Sequence, residues 1–597
     1  QKVLIMKITP QILFENANNF SSESALSFTD KDGNWVSKNW KDLESYVLDI
    51  SKALYACGVG VNDKVSIYSY NRIEWYAGYL ATQVIGGVGV GVYHTCSSDE
   101  VKWIVENSDS KVVFVGNNPM DNDDIQKMPN HRLLEVLDSL PKVETVVMMH
   151  DIEVLNHEKC ISWEEFLSKG KEILTETIRS TLDQITKDHS ACLIYTSGTT
   201  GNPKGVELTH KNWSFEIRVA NSIFKFNQGE KYISWLPLAH VFGQLIDVNY
   251  WVQNALHLHV CDSPLKVVDC AKEVKPHLFI GVPRIYEKIY SNLKSAIDGK
   301  AILKYGLKIP GLSKILKGKL KEAIGFTNAR FVVSGAAPIN IEILHLFQSL
   351  DIPLFEGYGM TENAAAATSN YEGMNKIGTV GIALPETEIK IAEDGEILIR
   401  GDHVMKGYYL NPVATNETLI DGWLYTGDVG ELDNEGFLKI TGRKKEIYVT
   451  SGGKNVAPLI IEETMKSITL LSQCFLVGDG RKYCSALFTL DVSAILRDKL
   501  GVDSKLIPKD PQDQLNMLKE NGVSLSDYTD NSEIISEVQS QVDTLNGNFS
   551  NPEQVKKFSI LPRDFTIDDG ELTPTLKIRR KQIRENWSSV IESMYAD

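Results

Sequence analysis

Tyr195-Thr196-Ser197-Gly198-Thr199-Thr200-Gly201-Asn202-Pro203-Lys204-Gly205-Val206 follows a short apolar run, Ala191-Cys192-Leu193-Ile194. The run reads as a buried strand. The stretch after it carries four Ser/Thr hydroxyls, one lysine and no acidic residue. A backbone this free of bulk can wrap a polyanion, with N–H groups and hydroxyls donating to phosphate oxygens and Lys204 neutralising charge. It is a nucleotide-phosphate loop of an unusual kind: Lys204 is followed by Gly205 and Val206, not by the Ser or Thr that completes the common P-loop.

Outward from this loop, strand-like and helix-like patterns alternate between Trp40 and about Ala383. Apolar runs at Val65–Tyr68, Lys111–Val115, Leu278–Ile280, Phe331–Val333 and Ile352–Phe355 are separated by amphipathic stretches such as Val267–Val274 and Ile285–Ile297. The alternation predicts an α/β fold of parallel sheets covered by helices. From Glu386 the pattern changes to short hairpins around Asp394-Gly395 and Asp433–Gly436, which predicts a small antiparallel, barrel-like β subdomain up to residue 444. A compact mobile α+β unit is expected over 445–597, with a polar helical insertion at about 508–552. The large N-terminal unit is then 1–444.

The 597 residues are 43% hydrophobic and 23% charged with a net charge of −16. This composition fits an ordinary globular protein and argues against bulk nucleic-acid binding. The eight cysteines form no Cys-x-x-Cys pair, which predicts buried thiols in a reducing, cytoplasmic setting. The stretch from Tyr76 to Cys96 carries Gln83, five glycines and His94. It reads as a buried helix entering a buried strand rather than a membrane span. Between Lys300 and Lys321 seven lysines interleave with apolar residues and there is no acid. That pattern suits either a solvated helix or peripheral contact with an anionic membrane.

In open parallel sheets ligands sit beyond the carboxyl ends of strands. Two further loops occupy such positions: Ser334-Gly335-Ala336-Ala337-Pro338, and Glu356-Gly357-Tyr358-Gly359-Met360-Thr361-Glu362. Tyr358 could stack on a base, Thr361 could donate to a phosphate, and Glu362 could hold Mg²⁺ with phosphate oxygens and water. Trp423-Leu424-Tyr425-Thr426-Gly427-Asp428 reads as an aromatic turn whose carboxylate can accept from ribose hydroxyls. Thr441-Gly442-Arg443-Lys444-Lys445-Glu446 places cations at the expected domain boundary.

Together, the loop at 195–206, Tyr-Gly-Met-Thr-Glu, Tyr-Thr-Gly-Asp and Gly-Arg-Lys-Lys-Glu, in this order, resemble the adenylate-forming superfamily from about Trp35 to Met594. Trp235–His240, Gly281–Arg284 and Glu571–Lys577 are similar to its long-chain fatty acyl-CoA synthetase branch. Arg563-Asp564-Phe565 and Ser451–Val456 most resemble the bubblegum-type enzymes. The resemblance implies activation of a fatty acid by ATP to acyl-AMP and pyrophosphate, then thioester formation with CoA. It implies that Lys577 bridges carboxylate and α-phosphate. Lys204 and the loop residues Thr196, Ser197, Gly198, Thr199, Thr200 and Gly201 would hold the β- and γ-phosphates, with Thr196 and Glu362 contacting Mg²⁺. Gly335, Ala336, Ala337 and Tyr358, with Glu356, Gly357 and Gly359 of the same loop, would frame adenine. Asp428 and Arg443 would hold the ribose and its phosphate. His240 would meet the acyl carboxylate. Lys445 would be the hinge of a swinging C-terminal domain, and Gly452 and Gly453 would line the pantetheine channel.

Three positions depart from the resembled pattern. Leu576 precedes the lysine where many relatives have Gly, Lys444 stands where an apolar residue is common, and Ala457 replaces a proline of the bubblegum group. Medium-chain or aryl acid ligation, loading of a carrier protein, and a non-catalytic acyl- or nucleotide-binding role on the same fold stay open at this level. Acyl length is not legible.

Overall fold

The computed structural model describes residues 7–30, 32–117, 127–196, 202–261, 263–451, 455–573 and 576–596. Two large sheets dominate the first two thirds of the chain. In one, the strands Ser190–Thr196, Val88–Val92, Lys64–Ser69, Ser110–Gly116, Thr145–Met148 and Cys160–Ile161 lie side by side and parallel. In the other, Leu354–Tyr358, Phe331–Ser334, Leu278–Gly281, Lys231–Ser234 and His257–Val260 form the parallel centre. These strands read as continuous apolar runs because both faces of each sheet are covered.

The helix Ile73–Val84 joins the two sheets. Nearly every residue in it is buried, as expected of a helix apolar on all sides. Its polar atoms find partners on the second sheet and the helix beside it: the Tyr76 hydroxyl lies 2.6 Å from Ser234 Oγ, and the Tyr79 hydroxyl donates to Gln244 Oε1 at 2.8 Å. It runs into the buried strand Val88–Val92, as the sequence predicts. No helix among the described residues is long and apolar enough to cross a membrane. The eight cysteines form no disulfide, and Cys96, Cys192, Cys261, Cys474 and Cys484 are buried.

The loop at 196–204 connects antiparallel partners. Ser190–Thr196 pairs with Lys204–Thr209, with Thr196 opposite Lys204, so this is a hairpin and not the strand-to-helix turn of a P-loop. The small β subdomain is present, built on Glu388–Ile391, Glu396–Arg400, Trp423–Leu432 and Leu438–Arg443. The sequence reading of Trp423–Asp428 as an aromatic turn is corrected: it is the first part of a ten-residue strand. Alternation there is broken by Gly427 at φ +72°, a glycine conformation that mimics turn chemistry in the sequence. The basic segment resolves into two short helices, Ala301–Gly306 and Leu312–Ala323.

Beyond Arg443 a separate apolar core gathers around the strands Leu471–Val477, Cys484–Leu490 and Val555–Ile560. The helices Pro511–Glu520 and Ser532–Asn546 lie between the second and third of these strands in the sequence.

Glu216 and Asp247 are the most deeply buried acids of the large unit that have no ion pair among the described residues. Asp247 accepts from Ser234 Oγ, while Glu216 has only the Ala366 backbone N–H to oppose its desolvation. Burial pushes both carboxyls well above their ordinary range, so both are neutral in the fold. A folded-state pKa raised above the unfolded value gives stability that is complete below the unfolded value of 4.5 and is lost as pH rises toward the folded one. Glu216→Gln cannot ionise in either state. Melting temperatures measured between about pH 5 and pH 8 should therefore move steadily in the variant's favour as pH rises.

Candidate functional site

One cavity of about 1360 Å³ lies beyond the carboxyl ends of the second sheet and beneath the C-terminal unit. Thr196 and Lys204 line it from the hairpin of the first sheet. The residues after Phe331–Ser334 contribute Gly335, Ala336 and Ala337, and the strand Leu354–Tyr358 with its following loop contributes Glu356 through Glu362. Asp428, Arg443 and Lys445 enter from the β subdomain and the crossing to the next unit, His240 from the loop after Lys231–Ser234, and Lys577 from the C-terminal unit. Thus every described residue that the sequence singled out borders the same space. Ser197, Gly198, Thr199, Thr200, Gly201, Gly452 and Gly453 lie outside the described residues.

The arrangement is held by polar contacts that fix each group. The Tyr358 hydroxyl donates to Asp428 Oδ2 at 2.7 Å, and Arg443 Nε lies 3.2 Å from Asp428 Oδ1. Asp428 is 6% exposed; burial raises its carboxyl, opposed by Arg443 and by the tyrosine hydrogen bond. Each oxygen keeps lone-pair capacity for a further donor. Burial likewise raises Glu356 to about 8. Glu362 Oε1 accepts from the Tyr408 hydroxyl at 2.7 Å.

Lys577 is reached by solvent through the cavity, yet protein crowds its ammonium. Desolvation, then the neighbouring Arg443, lowers its pKa, while Asp428, Glu362 and Glu446 oppose the shift. His240 is desolvated and faces the Lys577 charge, which together hold its pKa down at about 3. Its Nδ1 accepts the Phe242 N–H at 3.2 Å. The neutral ring therefore carries its proton on Nε2 and can donate it. The site thus brings a neutral histidine donor, the Lys577 ammonium, the Arg443 guanidinium and the carboxyls of Asp428, Glu356 and Glu362 around one volume.

Backbone strain sits beside these groups. Ala364 and Ala365 adopt φ of 53° and 95°, two and three residues past Glu362. Gly359 is required beneath them, since a Cβ there would lie 2.1 Å from the Ala365 carbonyl oxygen. Leu576 also has a positive φ, 61°. That explains why glycine suits this position in the resembled family: a non-glycine residue there costs about 1–2 kcal/mol. The cost is met by the turn around Thr573, whose Oγ1 accepts the Lys577 N–H at 3.0 Å.

A family signature described as "AMP-binding enzyme" matches residues 13–409. The chain belongs to the AMP-binding enzyme family. A second signature, "AMP-binding enzyme C-terminal domain", matches 445–597. The chain is 33% identical over 94% of its length, and 93% of the relative's, to Long-chain-fatty-acid--CoA ligase FadD15 of Mycobacterium bovis. It is 30% identical over 98% of its length, and 83% of the relative's, to Long-chain-fatty-acid--CoA ligase ACSBG2 of Xenopus laevis. Among solved structures, it resembles an anthranilate CoA ligase in complex with anthranoyl-AMP (TM-score 0.73, 16% identity, 98% of both chains). It also resembles a Mycobacterium tuberculosis fatty acyl CoA synthetase (TM-score 0.62, 20% identity, 98% of this chain and 99% of that one). These likenesses fit the fold of a large α/β unit followed by a smaller one.

For this AMP-binding enzyme, sequence reasoning missed several site residues. Tyr408 both donates to Glu362 and carries Lys204 Nζ 4.2 Å above its ring; it reaches the site because Gly407–Tyr408 pairs beside the Lys204–Thr209 strand. Trp103 Nε1 donates to the Pro203 carbonyl at 2.9 Å, pinning the base of the hairpin. Arg580 bridges Glu446 and Glu462, tying the Lys577 segment to the crossing point. Lys444 pairs with Asp394 and Glu396, which gives this lysine its place beside the β subdomain. Of these, Lys444 and Glu446, both in Gly-Arg-Lys-Lys-Glu, had a local signal.

Tyr358→Phe would remove a donor that favours ionised Asp428, a bond worth about 1.5–3 kcal/mol. The acid limb of nucleotide binding, followed by calorimetry across pH, should move up by about one unit or more, with little change at neutral pH.

Proposed function

We propose that this protein is an AMP-forming long-chain fatty acid–CoA ligase. The observation that carries the reading is the meeting of Lys577, from the C-terminal unit, with Asp428, Arg443, Glu362 and His240 in one cavity. A carboxylate is a poor electrophile, and ATP converts it to a mixed anhydride with loss of pyrophosphate. Negative charge crowds the α-phosphate and the attacking carboxylate as they meet. A preorganised, poorly solvated ammonium stabilises that charge without reorganising. In this reading Lys577 supplies it, His240 Nε2 orients the acid, and Asp428 and Arg443 hold the ribose and its phosphate. Lys204 and Thr196 hold the departing pyrophosphate, while Gly335–Ala337 and the Glu356–Gly359 loop seat adenine. Thioester formation with CoA follows after the C-terminal unit swings about Lys445, where Gly452 and Gly453 would take their part.

Mg²⁺ belongs to the same proposal. Among the described residues no cluster of three or more metal-ligating side chains occurs. That fits an ion held by one carboxylate, Glu362, with the Thr196 hydroxyl, water and substrate phosphates, the usual manner for this cation. Bound there, it would neutralise phosphate charge. Long-chain acids are favoured over aryl acids by the names of the relatives and by an apolar branch of the cavity walled by Phe242, Leu245, Ile246 and Ile280.

The proposal extends to peripheral contact with an anionic membrane. Leu316 and Leu320 face inward, while Ile302, Tyr305, Ile309 and Ile315 are each more than half exposed among the seven lysines of 300–321. Apolar side chains framed by cations suit an interface with anionic headgroups.

Incubation with ATP, palmitate and CoA should give AMP, pyrophosphate and palmitoyl-CoA together; ADP, or no turnover across acids, would sink the ligase reading. Lys577→Ala should lower acid-dependent ATP–pyrophosphate exchange by about 10²–10³-fold while largely sparing thioester formation from supplied acyl-AMP. The alkaline limb of exchange should fall below the ordinary lysine value of 10.5, since the ammonium is lost as pH rises through its lowered pKa. Flotation with phosphatidylserine vesicles should carry the protein upward. Exchanging lysines of 300–321 for glutamate should abolish this, and equal flotation would remove the membrane contact.

A further inference from the structure

Two of the eight thiols face each other. Cys261 follows directly on the strand His257–Val260, and Cys270 lies in the helix Val267–Val274. The Cys270 thiol donates to Cys261 Sγ at 3.2 Å, and the Cys261 thiol donates on to the Ser263 carbonyl at 3.1 Å. A disulfide bond is about 2.05 Å long, so the two sulfurs stand roughly 1.2 Å short of bonding.

The two sides differ in freedom. Cys261 is 3% exposed and sits in the main apolar core. Its backbone N–H donates to the Ser234 carbonyl at 2.9 Å, and the Ser234 side chain is held in turn by Tyr76 and Asp247. Cys270 is partly exposed and packs on the edge of the same core. Its helix is about two turns long. It runs between the turn Pro264–Lys266 and the left-handed Lys275 at φ 53°, and Lys272 and Glu273 face solvent from it. An oxidant therefore meets Cys270 first, and the movement that joins the sulfurs falls on the helix. Neither thiol borders the cavity that holds Lys577. Nor, among the described residues, does the pair have the third ligand that would make a metal site.

We propose that Cys261 and Cys270 form a reversible redox modification site whose oxidant is a peroxide. Cys270, as its thiolate, attacks one oxygen of hydrogen peroxide; the O–O bond breaks, hydroxide leaves, and Cys270 becomes a sulfenic acid. The Cys261 sulfur then attacks the Cys270 sulfur. The S–O bond breaks as the S–S bond forms, and the oxygen leaves as water with the Cys261 proton. In sum, two thiols lose two electrons and two protons, and one peroxide becomes two waters. A resolving thiol this close takes the sulfenic acid before a second peroxide can carry it to the irreversible sulfinic acid. Thiol–disulfide exchange with a small thiol returns both cysteines. While it lasts, the bond ties the helix to the strand beside Lys231–Ser234, the strand that feeds the loop bearing His240.

The site is independent of the ligase reading, and its test involves no turnover. The folded protein is exposed to hydrogen peroxide, blocked with iodoacetamide, digested without reduction and mapped by mass spectrometry. A peptide pair linked through Cys261 and Cys270 should be the main oxidised species and should disappear with dithiothreitol. Thiols titrated in denaturant should fall from eight to six. In Cys261→Ser, sulfinic acid should accumulate at Cys270, where wild type shows the linked pair instead. Absence of the linked pair from the folded wild type, or its formation only after denaturation, would overturn the site. So would equal sulfinic acid at Cys270 in wild type and Cys261→Ser. The wild-type map decides the matter by itself where the variant folds poorly.

Discussion

An ammonium held among charges on the wall of one cavity is the constraint on which the structure depends. Lys577 comes from one unit; Asp428, Arg443, Glu362 and His240 come from the other. Desolvation lowers the pKa of this lysine, and Arg443 pushes in the same direction. Asp428, Glu362 and Glu446 hold the charge in place. The same balance keeps His240 neutral and Asp428 ionisable. Removing any one member would shift the others, since groups this close titrate as a set.

The fold supplies this meeting by stacking loops at one end of a parallel sheet and bringing a β subdomain and a further unit over them. Strain is concentrated there: Ala364, Ala365 and Leu576 all adopt left-handed backbone next to Glu362 and Lys577. Residues in such conformations persist only where surrounding contacts over-determine them. The Thr573 turn, the close approach of Gly359 to Ala365 and the Tyr408–Glu362 bond are those contacts.

Across the two units, contacts are polar and partly exposed. Arg579 pairs with Glu100 at 2.9 Å, Lys127 with Asp568 at 2.8 Å, and Lys509 with Asp269; Arg284 reaches Ser472 Oγ at 3.3 Å. Exposed pairs of this type are worth about 0–1 kcal/mol each. An interface of this kind holds the unit over the site through contacts that cost little to separate.

The sequence alone determined the chemistry-bearing loops, the α/β pattern, the small β subdomain and the candidate residues. Hydroxyls, glycines and charges at short spacing carry their meaning locally, as do apolar runs of strand length. It misread Trp423–Asp428 as a turn, because a glycine with positive φ inside a strand looks like turn chemistry when only neighbours along the chain are seen. It could not find Tyr408, which reaches Glu362 through a strand pairing some two hundred residues distant in sequence, from Val206 to Tyr408. Nor could it find the meeting of Phe224, Phe226, Phe331 and Tyr250, whose members come from a helix end, a connection, a strand and a second helix. Those features depend on which surfaces pack together. Packing is decided by the burial of whole sheets and helices against one another, and no short stretch of sequence records it.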